Sequence, residues 1–274
     1  MPELPEVESI VQRLREGKDA TPLIGRKITR VSLHWPRHIA QPSVSSFRRH
    51  IKGRVIKDIN RRGKYLVFTL DEEVLLIHLR MSGDLTVSPA DEPRGPYEHT
   101  IFYLDEPWQL RFSDARKFGV IYLLEDPKII LNRLGPEPLD PGFKPHHLSE
   151  RLKKHHRMLK PLLLDQSFIA GLGNIYTDEA LHHAGLHPRI RSDRLSEDQV
   201  ERLWSGIQAT LREGLRQNGA SIDWVYRGGN FQNQFRVYQR TGEPCPICST
   251  PIERIVVGQR GTHICPKCQP EKGI

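Results

Sequence analysis

The chain opens Met1-Pro2-Glu3-Leu4-Pro5-Glu6-Val7-Glu8. Removal of the initiator methionine would expose a proline whose secondary amine is followed closely by two carboxylates, Glu3 and Glu6. An α-amine titrates at about 7.7 to 8.0, so a useful fraction is unprotonated near neutral pH, whereas a lysine at about 10.4 needs strong perturbation. A secondary amine that attacks a sugar C1′ forms an iminium directly, the Schiff-base form of covalent catalysis. Glu3 and Glu6 are then placed to move protons. The same residues equally suit the first turn of an ordinary helix. Proline fits a first helical position, acids fit a helix N-terminus, and Leu4, Val7, Val11 and Leu14 follow helical spacing. The two readings are compatible, because on a helical wheel Glu3 and Glu6 fall together at the edge of the apolar arc.

A second group with chemistry lies at the other end of the chain. The 4 cysteines form the pairs Cys245-Pro-Ile-Cys248 and Cys265-Pro-Lys-Cys268. Two such knuckles fit a tetrahedral thiolate zinc site, a redox pair being the alternative. Four thiolates leave no open coordination position, so one Zn2+ held there is structural. It would fix the intervening hairpin, with Gln259-Arg260-Gly261 near its tip.

Lys and Arg number 41 against 33 Asp and Glu, a formal charge of +8, which points to a polyanionic partner. One basic run spans 47–64 and carries Arg48, Arg49, Lys52, Arg54, Lys57, Arg61, Arg62 and Lys64. It reads either as a solvated face or as a phosphate-contacting surface. A second, Arg151, Lys153, Lys154, Arg157 and Lys160, precedes the turn Gly171-Leu172-Gly173-Asn174 into a helix starting near Ile175. Backbone N–H groups at such a start form an anion site, although two helices joined by this turn can also be a simple packed hairpin. Met81 before a turn, and Arg116 and Phe118 within Asp114-Ala-Arg-Lys-Phe-Gly119, are residue types inserted where a base has left a duplex. Met and Phe are also ordinary core residues.

The elements that must position these groups change character along the chain. After the first helix, short runs at 55–59, 65–70, 74–79, 85–87, 100–104 and 120–124 are rich in branched and aromatic residues and separated by turn signals. They predict an antiparallel β-sandwich with the N-terminal helix against it. Gly and Pro crowd 134–145, which reads as a linker. Beyond it, helices are expected over 147–164, 175–183 and 197–217, the last capped by Ser196. The organisation is therefore α+β: a sandwich domain over 1–133, a linker, a helical domain over 146–234 and a zinc hairpin over 235–274. No apolar run approaches the length of a membrane span and no secretory leader pattern is present, which predicts a soluble, cytoplasmic protein.

Taken together, these motifs resemble the bacterial formamidopyrimidine-DNA glycosylase family. The resemblance runs through Met1–Glu8, Arg62-Gly-Lys-Tyr65, His78-Leu-Arg-Met-Ser-Gly83, Asp114–Gly119, Leu134-Gly-Pro-Glu-Pro138, Gly171-Leu-Gly-Asn-Ile-Tyr176 and the zinc hairpin with Gln259-Arg260. It implies a helix-two-turns-helix domain after the sandwich, a C-terminal four-cysteine zinc finger, damaged double-stranded DNA held in a cleft, and a monomer. It implies that Pro2 displaces an oxidised purine and forms the imine, with Glu3 as proton donor in base loss and Glu6 in support. Lys64 would be the proton donor of β-elimination, and Arg260 would grip phosphates and serve δ-elimination. Asn174 would hold a phosphate, and Met81, Arg116 and Phe118 would fill the void, Arg116 facing the orphaned cytosine. His78, His156 and Lys160 join the expected DNA contacts. The family's histidine-bearing loop aligns at Tyr97, with His99 two residues later as the expected contact. The loop 219–234 matches the family least. Two rivals are an endonuclease VIII-like enzyme acting on oxidised pyrimidines and a zinc-dependent DNA-binding protein without catalysis. Leu4 after Pro-Glu and the intact trio argue against the first, and the Pro2-Glu3 terminus with Lys64 against the second.

Overall fold

A computed structural model describes residues 1–18, 20–105, 107–221 and 228–271. Two compact units appear, one built on Met1–Asn132 and the other on Arg133–Ala220 with Gly228–Ile274. No helix among the described residues is long and apolar enough to cross a membrane.

The first unit begins with α1 (Leu4–Glu16), which ends where Gly17 turns left-handed at φ 67° and returns its N–H to the Arg13 carbonyl. The expected apolar stripe is inward: Leu4, Val7, Ile10, Val11 and Leu14 are all buried. Each such side chain contributes about 1.5–3 kcal/mol on leaving water. Two sheets complete the unit. One has the order β2 (Ile39–Gln41), β9 (Val120–Leu124), β5 (Val74–His78), β4 (Tyr65–Leu70) and β3 (Ile56–Arg62). The other has the order β1 (Ile28–Leu33), β7 (Glu98–Leu104), β8 (Trp108–Asp114) and β6 (Gly83–Pro89). A single apolar cluster joins Val7, Ile10 and Leu14 to Phe68 and Ile77 of the first sheet and to Phe102 and Phe112 of the second. It also takes in Phe47 and Ile51 of the short helix α2 (Val44–Ile51). The sandwich is antiparallel as expected except at one edge, where β2 runs parallel to β9.

Two features of this unit depart from simple patterning. Arg111, in the middle of β8, is buried, and its guanidinium is surrounded by acceptors. It donates to the carbonyls of Pro89, Glu92 and Pro93, to Glu98 Oε2 and to Gln109 Oε1, gathering the loop between β6 and β7 around one cation. The β3–β4 connection is a two-residue hairpin in which Gly63 takes φ 58° and Arg62 pairs with Tyr65. Glycine in the first central place is what such a turn requires, and it fixes where Lys64 emerges.

The first unit ends with α3 (Lys128–Leu131), and the second contains α4 (Pro145–Lys153), α5 (Leu159–Leu163), α6 (Asn174–Ala184) and α7 (Glu197–Arg216). The single helix expected over 147–164 is thus two. Pro161 is the cause: its ring would meet the carbonyl four residues earlier, so the helix restarts only at Leu159, where proline still falls within the first turn. Ser196 caps α7 as expected, accepting from Gln199 N at 3.2 Å. The hairpin β10 (Glu253–Val257) and β11 (Arg260–Ile264) belongs to this same unit. Part of the 219–234 loop, residues 222–227, lies outside the described residues.

Candidate active site

Pro2 is buried immediately before α1, and Glu3 and Glu6 are each 2% exposed. The Glu6 carboxylate accepts from the Glu3 backbone N–H at 2.8 Å. Glu6 therefore caps the helix and, in doing so, fixes the backbone of the residue that follows the candidate nucleophile. The capping box is reciprocal, the Glu3 side chain accepting from the Glu6 backbone N–H, so both buried carboxylates are held at the helix start directly after Pro2.

Lys64 is also buried, at 4% exposure, because the tight turn folds it back over the sheet. Its charge bears on His78, whose ring stacks edge-on against Tyr65 with centroids 4.7 Å apart, directly across the β4–β5 ladder. Burial first, then the positive charges of Arg80 and Lys64, lower the His78 pKa from 6.5 to about 3. The Arg80 N–H donates to His78 Nδ1 at 3.0 Å, which leaves the proton of the neutral ring on Nε2. His78 thus offers an uncharged donor at neutral pH rather than a cation. The unfolded chain takes up a proton on this histidine near pH 6.5 and the folded chain does not until about pH 3, so its contribution to stability is full above that window and is lost as pH falls through it. Between pH ~4 and ~6, the unfolding free energy of His78→Asn from urea titrations is expected to depend less steeply on pH, by about 1.4 kcal/mol per pH unit. Parallel slopes for the two proteins would refute the assignment.

The Met81 turn and the 114–119 turn are held by one carboxylate. Asp114 accepts from the Ser82 hydroxyl, from Arg116 N at 3.2 Å and from Gly119 N at 2.7 Å, while His38 Nε2 lies 3.6 Å away. Burial pushes the Asp114 pKa up, but these hydrogen bonds outweigh it and hold the group at about 2. Ser82 Oγ also accepts from Arg116 N at 3.0 Å. The result is an exposed tip on which Phe118 is 54% exposed with the Arg116 guanidinium 5.0 Å above its ring. Met81 is half-buried on the neighbouring turn. An apolar ring this exposed contributes little to the core, so the ordinary packing role is excluded for Phe118.

His99 corrects the sequence expectation. It lies at an irregularity in the β7–β8 register between Glu98 and Thr100, its ring is buried beside His38, and its Nε2 has no hydrogen-bond partner among the described residues. Tyr97 is the exposed residue of this segment, at 55%.

In the second unit, Arg260 is exposed at the hairpin tip, next to the two-residue turn Gly258-Gln259, both with positive φ. The neighbouring Gly261 carbonyl accepts from Asn174 Nδ2 at 3.1 Å and from Lys160 Nζ at 3.1 Å. Lys160 is fully buried and also reaches Asp178 Oδ1 at 2.6 Å and Thr262 Oγ1 at 2.8 Å. Expected as a DNA contact, Lys160 is instead fully buried, and its ammonium holds the hairpin. Asn174 occupies the first turn of α6 and spends its amide donor on the same carbonyl. His156 is exposed and paired through Nδ1 with Asp193 at 3.0 Å. Sequence reasoning did not single out Asp178 or Glu179. Asp178 Oδ2 accepts from His263 N, and Glu179 accepts from the N–H groups of Arg236, Val237 and Tyr238. The available signal was two adjacent acids in the middle of a helix flanked by the apolar Ile175, Ala180 and Leu181.

The four cysteine sulfurs all lie within 4.8 Å of one another, with Cys248 to Cys265 at 3.4 Å, Cys248 to Cys268 at 3.5 Å and Cys245 to Cys268 at 3.9 Å. A tetrahedron with Zn–S of about 2.3 Å has edges of about 3.8 Å. The donor set and its spacing fit the ion, and a disulfide, at about 2 Å, fits none of these distances.

Three family models cover most of the chain: the formamidopyrimidine-DNA glycosylase N-terminal domain over 1–121, the H2TH domain of the same enzymes over 134–225, and a zinc finger found in FPG and IleRS over 242–270. The chain belongs to the formamidopyrimidine-DNA glycosylase family. A formamidopyrimidine-DNA glycosylase of Symbiobacterium thermophilum is 44% identical over 98% of this chain and 90% of its own length. That of Bacillus subtilis is 42% identical over 99% of this chain and all of its own. Among solved structures, MutM in complex with DNA containing carbocyclic 8-oxo-G superposes with a TM-score of 0.90 at 36% identity, covering 98% of this chain and 100% of the other. The Lactococcus lactis FPG (MutM) bound to Fapy-dG-containing DNA gives 0.91 at 35%, with the same coverage. The expected fold, a sandwich followed by an H2TH domain and a four-cysteine zinc finger, is the fold of the family.

Proposed function

We propose that this protein removes oxidised purines, 8-oxoguanine and formamidopyrimidines, from double-stranded DNA and then cuts the strand at the resulting abasic site. The observation that carries this reading is the burial of Glu3 and Glu6 beside Pro2 at the start of α1. Once Met1 is removed, the Pro2 nitrogen attacks C1′ as the N-glycosidic bond breaks, and Glu3 supplies a proton as the base departs. Cleavage of the C1′–O4′ bond, with a proton taken up on O4′, opens the sugar and gives the iminium, which draws electrons from C2′, so loss of the C2′ proton expels the 3′ phosphate, with Lys64 as proton donor. A second elimination, served by Arg260, expels the 5′ phosphate. Glu6 supports the terminus through its bond to the Glu3 N–H.

DNA contacts follow from the same residues. The start of α6 with Asn174, and Arg260, take backbone phosphates, since a helix N-terminus and an exposed guanidinium both favour anions. His156 reaches phosphate by exchanging its Asp193 partner, and His78 donates as a neutral ring. Met81, Arg116 and Phe118 occupy the space left by an extruded nucleotide, the cost of unstacking being lowest for a damaged base. One zinc ion is bound by Cys245, Cys248, Cys265 and Cys268 as a structural element. The protein acts as a monomer in the bacterial cytoplasm.

The decisive experiment is borohydride trapping on a duplex carrying one 8-oxoguanine opposite cytosine, with undamaged and abasic duplexes alongside. A covalent adduct that depends on the lesion is expected. An adduct with the abasic duplex alone would move the substrate to another lesion class, such as oxidised pyrimidines. None with either duplex, from protein lacking Met1 and loaded with zinc, would leave only DNA binding.

A further inference from the structure

Helix α6 buries polar side chains along its length, and Asp178 and Glu179 have the partners already described. His182 has not entered the account. It is 1% exposed, its Nε2 lies 3.4 Å from Cys245 Sγ, and its Nδ1 is buried with no hydrogen-bond partner among the described residues. An apolar ring would fill this space without leaving a nitrogen unsatisfied, so the imidazole is intelligible if its other nitrogen does something an apolar ring cannot.

We propose that His182 is a positioning residue of the zinc centre, donating its Nε2 proton to the Cys245 thiolate. The inference rests on the zinc reading above. A metal-bound thiolate is an acceptor only, so the hydrogen bond fixes the ring as the Nε2–H tautomer. Four thiolates around one divalent cation carry excess negative charge, and each N–H directed at a sulfur offsets part of it. Cys245 also receives the Ile247 N–H at 3.5 Å, and Cys265 receives the Cys268 N–H at 3.4 Å. Those donors belong to the knuckles themselves, whereas His182 comes from a separate helix. The same helix binds the Gly261 carbonyl through Asn174 at its other end, so α6 holds both the knuckles and the tip of one hairpin.

Outer-layer partners of metal ligands typically change metal affinity by about 10–100-fold. The test uses the full-length protein: chelator competition for zinc, and the sulfur-to-metal charge-transfer band after cobalt substitution, in wild type, His182→Phe and His182→Gln. Wild type must first bind one ion with a tetrahedral cobalt spectrum; failure there would remove the zinc reading itself and this inference with it. The Phe variant is expected to bind zinc about 10–100-fold more weakly and to shift the cobalt band, while Gln, which keeps an N–H at similar reach, recovers most of both. Wild-type affinity and spectrum in the Phe variant, or equal losses in both variants, would overturn the donor role. Should the Phe variant not fold, the Gln variant decides alone: near-wild-type affinity and band position support the proposal, and loss of both rejects it.

Discussion

Replacing Pro2 with glycine is expected to lower 8-oxoguanine release by at least about 100-fold, within the range typical of losing one chemical group from a reaction centre, and to leave duplex affinity within about threefold. The reason is chemical rather than structural. A secondary amine gives an iminium that has no proton to lose and stays positively charged at every pH, a constant electron sink for base departure and elimination. A primary glycine amine gives an imine that must be protonated to do the same. Pro2 precedes the first residue of α1, and the helix is held by its own apolar stripe and by the Glu6 cap, so removing the pyrrolidine ring leaves the fold in place. Retained Met1 should be as harmful as the substitution, since it ties the nitrogen up in an amide. Intact mass, single-turnover release and binding anisotropy measured on the same preparations separate these effects. Release at wild-type rates from Pro2→Gly would take Pro2 out of the mechanism.

Loss of the metal should produce the second large effect. Structural zinc supplies about 10–16 kcal/mol of apparent binding free energy in isolated fingers, comparable to the whole stability of a domain at about 5–15 kcal/mol. Here the hairpin is also gripped by Lys160, Asn174 and Asp178, and the helices carry their own apolar core, including Leu148, Leu162, Leu203 and Leu211. Cys265→Ser is therefore expected to open the hairpin locally while the helices persist. Amide protection should fall over 253–264 with little change in far-ultraviolet dichroism, and affinity for a lesion duplex at fixed salt should drop by at least about 100-fold as Arg260 loses its placement. Unchanged protection and affinity would mean that α6 alone holds the hairpin.

The groups legible in the sequence were those whose signal is local. The stripe of α1, the cysteine knuckles and the Gly63-Lys64 turn each follow from neighbours a few residues apart. Missed elements share a different cause. Strand β8 hides its alternation because Arg111 points into a ring of acceptors supplied largely by a distant loop, and α2 has only Phe47 and Ile51 to mark its buried face. Lys160 and His99 failed for a related reason: a cation and an imidazole are expected outside, and what places them inside is Asp178 in one case and a strand irregularity in the other. Neither cause is visible at the position itself. The apolar spacing over 147–164 suggests one long helix, but Pro161 within it breaks the run into α4 and α5.

Arg111 carries a further consequence for how this chain can diverge. Three of the acceptors around its guanidinium are main-chain carbonyls, at Pro89, Glu92 and Pro93, and a carbonyl is supplied by any amino acid. The shape of the loop is thus anchored by one strand residue and only weakly by the identity of what it encloses. Substitutions can accumulate at the loop's exposed positions, Tyr97 among them, without redrawing its path. Divergence at this edge of the sandwich is cheap so long as the arginine stays.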